Sequence, residues 1–247
     1  MSQATFTPPD CVPLIVAEPE RPFWGFGEIF ITAAVFLVSQ QFTAMLAYRQ
    51  AARYLKSGAF LLAIESIAYL AVFAVLALLF ARYRRPLLRS LAWIRQPFRP
   101  LHLVFVGVVL SVVTVLLEQL LRTPNVQTPF DKLLGDAPSR ILIALFGVTL
   151  APAFEELLFR GLLQPVLVQA AGVLPGILIT SVIFGAVHLS QNAFIWQSGV
   201  LIALVGFVLG TVRHISGSTR ASAIVHAAYN SLPCLALLLT GGQTFHK

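Results

Sequence analysis

Three short stretches of this chain set ionisable or amide side chains inside otherwise apolar sequence. Phe154-Glu155-Glu156-Leu157-Leu158-Phe159-Arg160-Gly161 carries two carboxylates and a guanidinium. Phe184-Gly185-Ala186-Val187-His188 ends in an imidazole. His226-Ala227-Ala228-Tyr229-Asn230 pairs an imidazole with an amide. On a helix, residues four apart share a face and adjacent residues point about 100° apart. Glu156 and Arg160 are therefore neighbours, while Glu155 points elsewhere and has no partner on its own helix. Phe184 shares a face with His188, and His226 shares one with Asn230. Three helices can thus each turn one polar stripe toward a common interior, where Glu155, His188, His226 and Asn230 converge around a water.

Such a set suits hydrolysis of a peptide bond. A carboxylate withdrawn from bulk water is a better base and can take a proton from an attacking water. A neutral imidazole can share that work or bind a metal ion. A second imidazole and an amide can donate hydrogen bonds to a developing oxyanion. No serine or cysteine stands in a recognisable nucleophile context, so water is the attacker. Blander readings apply to each group alone. A Glu–Arg pair can be structural glue. A single histidine can bond a neighbouring helix. A polar cluster can line a proton path. Glu28, Glu65 and Glu118 belong to no motif and take no assigned function, and His102, His214 and His246 lie at span ends or tails.

The elements that must position these groups follow from composition. Of 247 residues, 57% are hydrophobic and only 11% charged, against about 25% charged in soluble domains. The apolar residues fall in runs of about 20, the length of a membrane-crossing helix. Inside a bilayer the backbone must satisfy its own hydrogen bonds, which leaves helices or closed barrels, and long runs select helices. The expected fold is all-α: a polytopic transmembrane helix bundle of seven or eight spans. The spans are Ile29–Tyr48, Gly58–Ala81, His102–Leu121, Arg140–Phe159, Val173–Leu189, Ala193–Val212 and Ala221–Thr240. Gly161–Ala171 is apolar but short, and reads as an extension of the fourth span, a surface helix or part of an eighth crossing. Ionisable groups at mid-membrane cost roughly 2.5–3.5 kcal/mol each on insertion scales, so the three clusters need a reason to be there.

Residues 1–25 read as a polar tail rather than a signal peptide, since they carry Asp10, Glu18 and Glu20 and lack a basic start followed by an apolar stretch. Residues 26–121 read as N-terminal transmembrane helices and 122–247 as the core that carries the motifs. Cys11 and Cys234 form no visible framework. The net charge of +7 lies in loops between spans, as membrane topology expects, so nucleic acid is not an expected partner. Arg82, Arg84, Arg85, Arg89, Arg95 and Arg99 crowd the second loop. Placing that loop and the N-terminus in the cytoplasm leaves ten basic residues inside against seven outside.

Taken together, the three clusters resemble the signature of the CAAX prenyl endopeptidase and bacteriocin-processing family, the CPBP or Abi family. That signature runs Glu-Glu-x-x-x-Arg, then Phe-x-x-x-His, then His-x-x-x-Asn or Asp. The neighbouring Phe159-Arg160-Gly161-Leu162-Leu163-Gln164, and Gly217-Ser218 ahead of His226, look like the family too. The resemblance covers about the last 110 residues and makes 122–247 a CPBP-like catalytic core. It implies an intramembrane metalloendopeptidase in which Glu155 and His188 activate water, His226 and Asn230 stabilise the oxyanion, and Glu156 and Arg160 order the site beside Phe184. Glu155, His188 and His226 are then the candidate metal donors, with Zn²⁺ permitted by their types. The implied partners are the lipid bilayer and a membrane-anchored protein or peptide substrate, either CAAX-type or a peptide under maturation, and the implied location is a bacterial inner membrane. Oligomeric state has no sequence signal. The competing functions are a non-catalytic scaffold or bacteriocin-immunity protein that keeps the fold, and a transporter, against which stands the lack of an internal repeat.

Overall fold

The computed structural model describes residues 22–54, 58–124, 126 and 136–241, and among them every regular element is helical. In chain order these are α1 (Phe26–Tyr54), α2 (Gly58–Arg82), α3 (Leu87–Ser90), α4 (Pro100–Leu120), α5 (Ala137–Val148), α6 (Leu150–Glu156), a π-helical segment (Leu157–Leu163), α7 (Gln164–Ala171), α8 (Val173–Val187), α9 (Trp196–Ser216) and α10 (Thr219–Thr240). Five stretches are long and apolar enough to cross a membrane: Leu62–Arg82, Pro100–Leu120, Ala137–Ala171, Trp196–Ser216 and Thr219–Thr240. Two shorter apolar stretches, Phe26–Phe42 and Val173–Val187, accompany them. The outward faces are apolar: Leu78, Leu101 and Leu239 are each more than 70% exposed. Lipid, not water, suits that surface. The chain is a polytopic helical bundle.

Several boundaries differ from the sequence reading. The fourth span is not a single helix over Arg140–Phe159. It runs over Ala137–Ala171, so Gly161–Ala171 is its extension, and it breaks at Thr149, whose φ of −126° and ψ of −79° are not helical. Pro152 explains the break: it lacks an N–H, and its ring crowds the carbonyl four residues back, at Val148. Beyond Glu156 the helix widens. The Gln164 N–H bonds the Phe159 carbonyl, five residues back. Pro165 favours this widening, since its ring would otherwise press on the Gly161 carbonyl. The fifth span closes at Val187 with His188 as its cap. The sixth starts at Trp196 rather than Ala193, because Ala193 and Phe194 adopt positive φ.

Two packed clusters hold the bundle. One joins Trp24, Val72, Leu76, Phe80, Leu91, Leu157, Leu162 and Val166. The other joins Leu103 and Leu110 of α4, Val205 and Leu209 of α9, and Ala221 and Val225 of α10. Trp24 was expected in a polar tail. It is buried, and its indole N–H donates to the Leu162 carbonyl at 3.0 Å. The rest of that tail, with Asp10, Cys11, Glu18 and Glu20, lies outside the described residues, as does His246. The helices α4 and α10 meet at Gly107, where an added Cβ would stand 2.3 Å from the Val225 carbonyl oxygen. Only a residue without a side chain permits that approach.

Candidate active site

α6 delivers Glu155 and Glu156, the π-helical segment delivers Arg160, α8 delivers Phe184 with His188 as its C-cap, and α10 delivers His226 and Asn230. Glu156 and Arg160 are fully buried. The pair expected from their spacing is present, with Arg160 Nη1 donating to Glu156 Oε1 at 3.0 Å. The same Oε1 also meets His226 Nδ1 at 3.0 Å. One carboxylate oxygen thereby ties the first motif to the third. The second guanidinium nitrogen of Arg160 donates to the Gly206 carbonyl of α9 at 3.0 Å.

Glu155 points to a different side, as its position on the helix requires, and faces both histidines. Its Oε2 is 3.7 Å from His188 Nε2 and 3.8 Å from His226 Nε2. These separations exceed direct hydrogen-bond length and suit groups that share a water. Each imidazole is fixed from behind. His188 Nδ1 lies 2.6 Å from the Phe184 carbonyl, which accepts and therefore requires the N–H to be on Nδ1. His226 Nδ1 is held by Glu156. With protons on both Nδ1 atoms, the two Nε2 atoms face Glu155. Phe184 is the hub of the site. Its ring lies 4.5 Å from that of His188, 5.9 Å edge-on from His226, and 4.3 Å beneath the Arg160 guanidinium carbon. A cation against a buried aromatic face is a favourable contact.

Asn230 has a partner outside the other two motifs. Its amide nitrogen donates to the Gly147 carbonyl at 2.8 Å, tying α10 to the end of α5 just ahead of the break. Glu28, left without a role, accepts from the Gly25 N–H and the Tyr83 hydroxyl, a cap for α1. Glu65 accepts from Gln40 across the α1–α2 interface.

The zinc expectation can be set against this geometry. Two imidazoles with anchored Nδ1 groups and one carboxylate are a zinc-type donor set. Donors held at 2.0–2.2 Å from one tetrahedral ion stand about 3.4 Å apart, less than the 3.7 and 3.8 Å here. Among the described residues no group of three or more His, Cys, Asp or Glu side chains closes into a metal site. The donor types fit zinc; their spacing as it stands does not.

Sequence reasoning missed the part that α9 plays in the site. Gly206 and Gly210 offer their carbonyls to Arg160 and Gln164, and both glycines sit under these side chains with little room for a Cβ of their own. A backbone acceptor leaves no side-chain pattern to read, and spaced glycines were the only available signal.

No curated protein and no solved structure matches the chain. Residues 137–232, from the start of α5 into α10, match the family model of type II CAAX prenyl endopeptidase Rce1-like proteins. All three motifs lie in order within that stretch, and over it the chain is similar to this family of membrane proteases.

Proposed function

We propose that this protein is an intramembrane endopeptidase that hydrolyses a peptide bond of a membrane-anchored protein or peptide, using a water held between Glu155 and His188. The observation that carries this is the convergence of Glu155 Oε2 on two Nε2 atoms, each imidazole anchored at Nδ1. Glu155 takes a proton from water as the water oxygen attacks the carbonyl carbon. The C–N bond then breaks, and the proton passes to the leaving amine by way of His188 Nε2. His226 and Asn230 are the oxyanion candidates. For this role His226 enters the cycle with a proton already on Nε2, its charge balanced by the Glu156 carboxylate at Nδ1. Asn230 has a second amide N–H left after Gly147 takes the first. Glu156 and Arg160 position His226 rather than react.

A second reading of the same triangle has support from the Nδ1 anchoring, which is how metal-bound histidines are held. In it, zinc on Glu155, His188 and His226 would supply Lewis-acid activation of the water. The substrate class follows the family: a CAAX-type prenylated C-terminus or a peptide under maturation, in a bacterial inner membrane. The test is incubation of purified protein and its Glu155→Gln form with a library of membrane-anchored peptides that includes farnesylated C-terminal peptides. Cleavage by the wild type alone supports the endopeptidase. An intact, folded wild type that cuts nothing favours a scaffold or immunity protein built on the same fold.

A further inference from the structure

The loop between α2 and α4 carries Arg82, Arg84, Arg85, Arg89, Arg95 and Arg99, and all six are exposed. None of the ion pairs among the described residues uses any of them; Arg85 rests on the Phe23 ring. Between them Leu88, Ile94 and Phe98 are also exposed, at 51%, 44% and 41%. The loop joins the ends of two membrane-crossing helices, Leu62–Arg82 and Pro100–Leu120. An arginine-rich surface with apolar side chains between the charges, at the level of a bilayer face, complements anionic headgroups above acyl chains.

Topology alone would ask only for charge in this loop. Here the charge sits on a folded element that reaches the catalytic helices. Leu91 is fully buried. Its carbonyl accepts from the Thr219 hydroxyl at 2.7 Å, and the Ala92 carbonyl accepts from the Thr219 N–H at 2.9 Å. The Ser218 hydroxyl donates to the Ile94 carbonyl at 2.7 Å. Thr219 begins α10, and His226 lies two turns along it. On its other side Leu91 abuts Gly161, where an added Cβ would stand 3.0 Å from Leu91 Cβ and from its carbonyl oxygen. Gly161 follows Arg160 in the π-helical segment. The loop therefore touches both helices whose side chains meet at Glu156.

We propose that the Arg82–Arg99 loop binds the headgroups of anionic phospholipids, and that occupancy of this surface adjusts the position of α10 and the π-helical segment, and so the Glu156–His226 contact. The reading of the site as a protease bears only on what is regulated, not on the binding.

The test uses the full-length protein, purified and reconstituted in phosphatidylcholine with or without phosphatidylglycerol. Native mass spectrometry counts retained phosphatidylglycerol, and ¹⁵N signals of the histidine rings report on His226. Changing Arg84, Arg89, Arg95 and Arg99 together to Gln should lower phosphatidylglycerol retention by about tenfold or more, while the same four changed to Lys should keep it. In the wild type phosphatidylglycerol should shift the His226 ring signal, and inorganic phosphate should not. Thr219→Val should keep lipid retention and lose that shift. Equal retention by the Gln and wild-type proteins would overturn the binding surface. Lipid retention with no His226 shift in the wild type would overturn the coupling. Cleavage of the peptide library, recorded in parallel, decides the proposed function separately: a wild type that cuts nothing removes the protease reading and leaves both of these readouts standing.

Discussion

Glu156 and His226 meet at 3.0 Å although 70 residues of chain separate them. The bond joins α6 to α10, and the acceptor oxygen is the one that Arg160 also holds. Glu156 is thus both half of a buried ion pair and the orienting partner of an imidazole. Removing its charge leaves Arg160 buried without a counter-ion. Breaking a buried pair in this way costs about 3–5 kcal/mol. Glu156→Gln should therefore lower the unfolding free energy by about 3 kcal/mol in denaturant titration of detergent-solubilised protein. A stability equal to wild type would show that the pair carries no load.

Glu155 should behave in the opposite way. It faces the two histidines at 3.7 and 3.8 Å and has no cation bonded to it. Glu155→Gln keeps its shape and removes the base, so cleavage should fall by about 10²–10⁴-fold, the usual worth of a general base. Stability should stay within about 0.5 kcal/mol, as for a change that breaks no packed contact. His188→Ala should lose activity similarly. Cleavage by folded Glu155→Gln at the wild-type rate would contradict its role as base.

These contrasts show how much could be read beforehand. Spacing alone separated Glu155 from Glu156, because a 100° step per residue is a fixed property of a helix. The apolar runs located five membrane-length stretches and two shorter apolar helices among the described residues, but the fourth span runs to Ala171, twelve residues beyond its expected end at Phe159. Spacing did not reveal what lies between helices. Glu156 joins His226, and Asn230 joins Gly147, both through long-range geometry. The break at Thr149 and the widening after Glu156 follow from Pro152 and Pro165, yet a proline in an apolar run also fits an unbroken membrane helix, so neither residue announced its effect. The burial of Leu91 was hidden for a related reason. An arginine-rich connection looks like a solvated loop until the helix that covers it is known.

The α4–α10 contact gives a packing prediction. At Gly107 an added Cβ would lie 2.3 Å from the Val225 carbonyl oxygen and 2.9 Å from the Tyr229 nitrogen, both backbone atoms one helix away. Backbone cannot yield as a side-chain tip can, so α10 must move. Gly107→Ala should destabilise by about 1–3 kcal/mol, the range for overpacking, and should slow cleavage per folded molecule because His226 lies between those two contacts in the chain. An unchanged melting temperature and rate would mean that α4 and α10 stand further apart.

Metal content separates the two readings of the Glu155–His188–His226 triangle. Its separations are wider than the about 3.4 Å expected around tetrahedral zinc, so dialysis against a strong chelator should leave the cleavage rate unchanged. A rate lost on chelation and restored by zinc, with no zinc retained by His188→Ala, would replace the protein-only mechanism with the zinc one.

Orientation gives the last prediction. The Arg82–Arg99 loop packs on the start of α10 and on the π-helical segment, so both lie at the same membrane face as six exposed arginines. Placing that face in the cytoplasm puts the six arginines of the loop inside, the sense that membrane insertion favours. The part of the fourth span around Gly161 then lies toward the cytoplasm, with Glu155 and Glu156 less than two turns from Gly161. A substrate would reach them from the cytoplasm or from the inner leaflet. Arg89 is exposed on α3, so a cysteine there is open to reagents without disturbing the core. In a background with Cys11 and Cys234 changed to Ser, Arg89→Cys should react with a membrane-impermeant maleimide only after the cells are opened. Labelling in intact cells would invert the topology, move the entrance to the opposite face, and place the arginine surface against the outer leaflet.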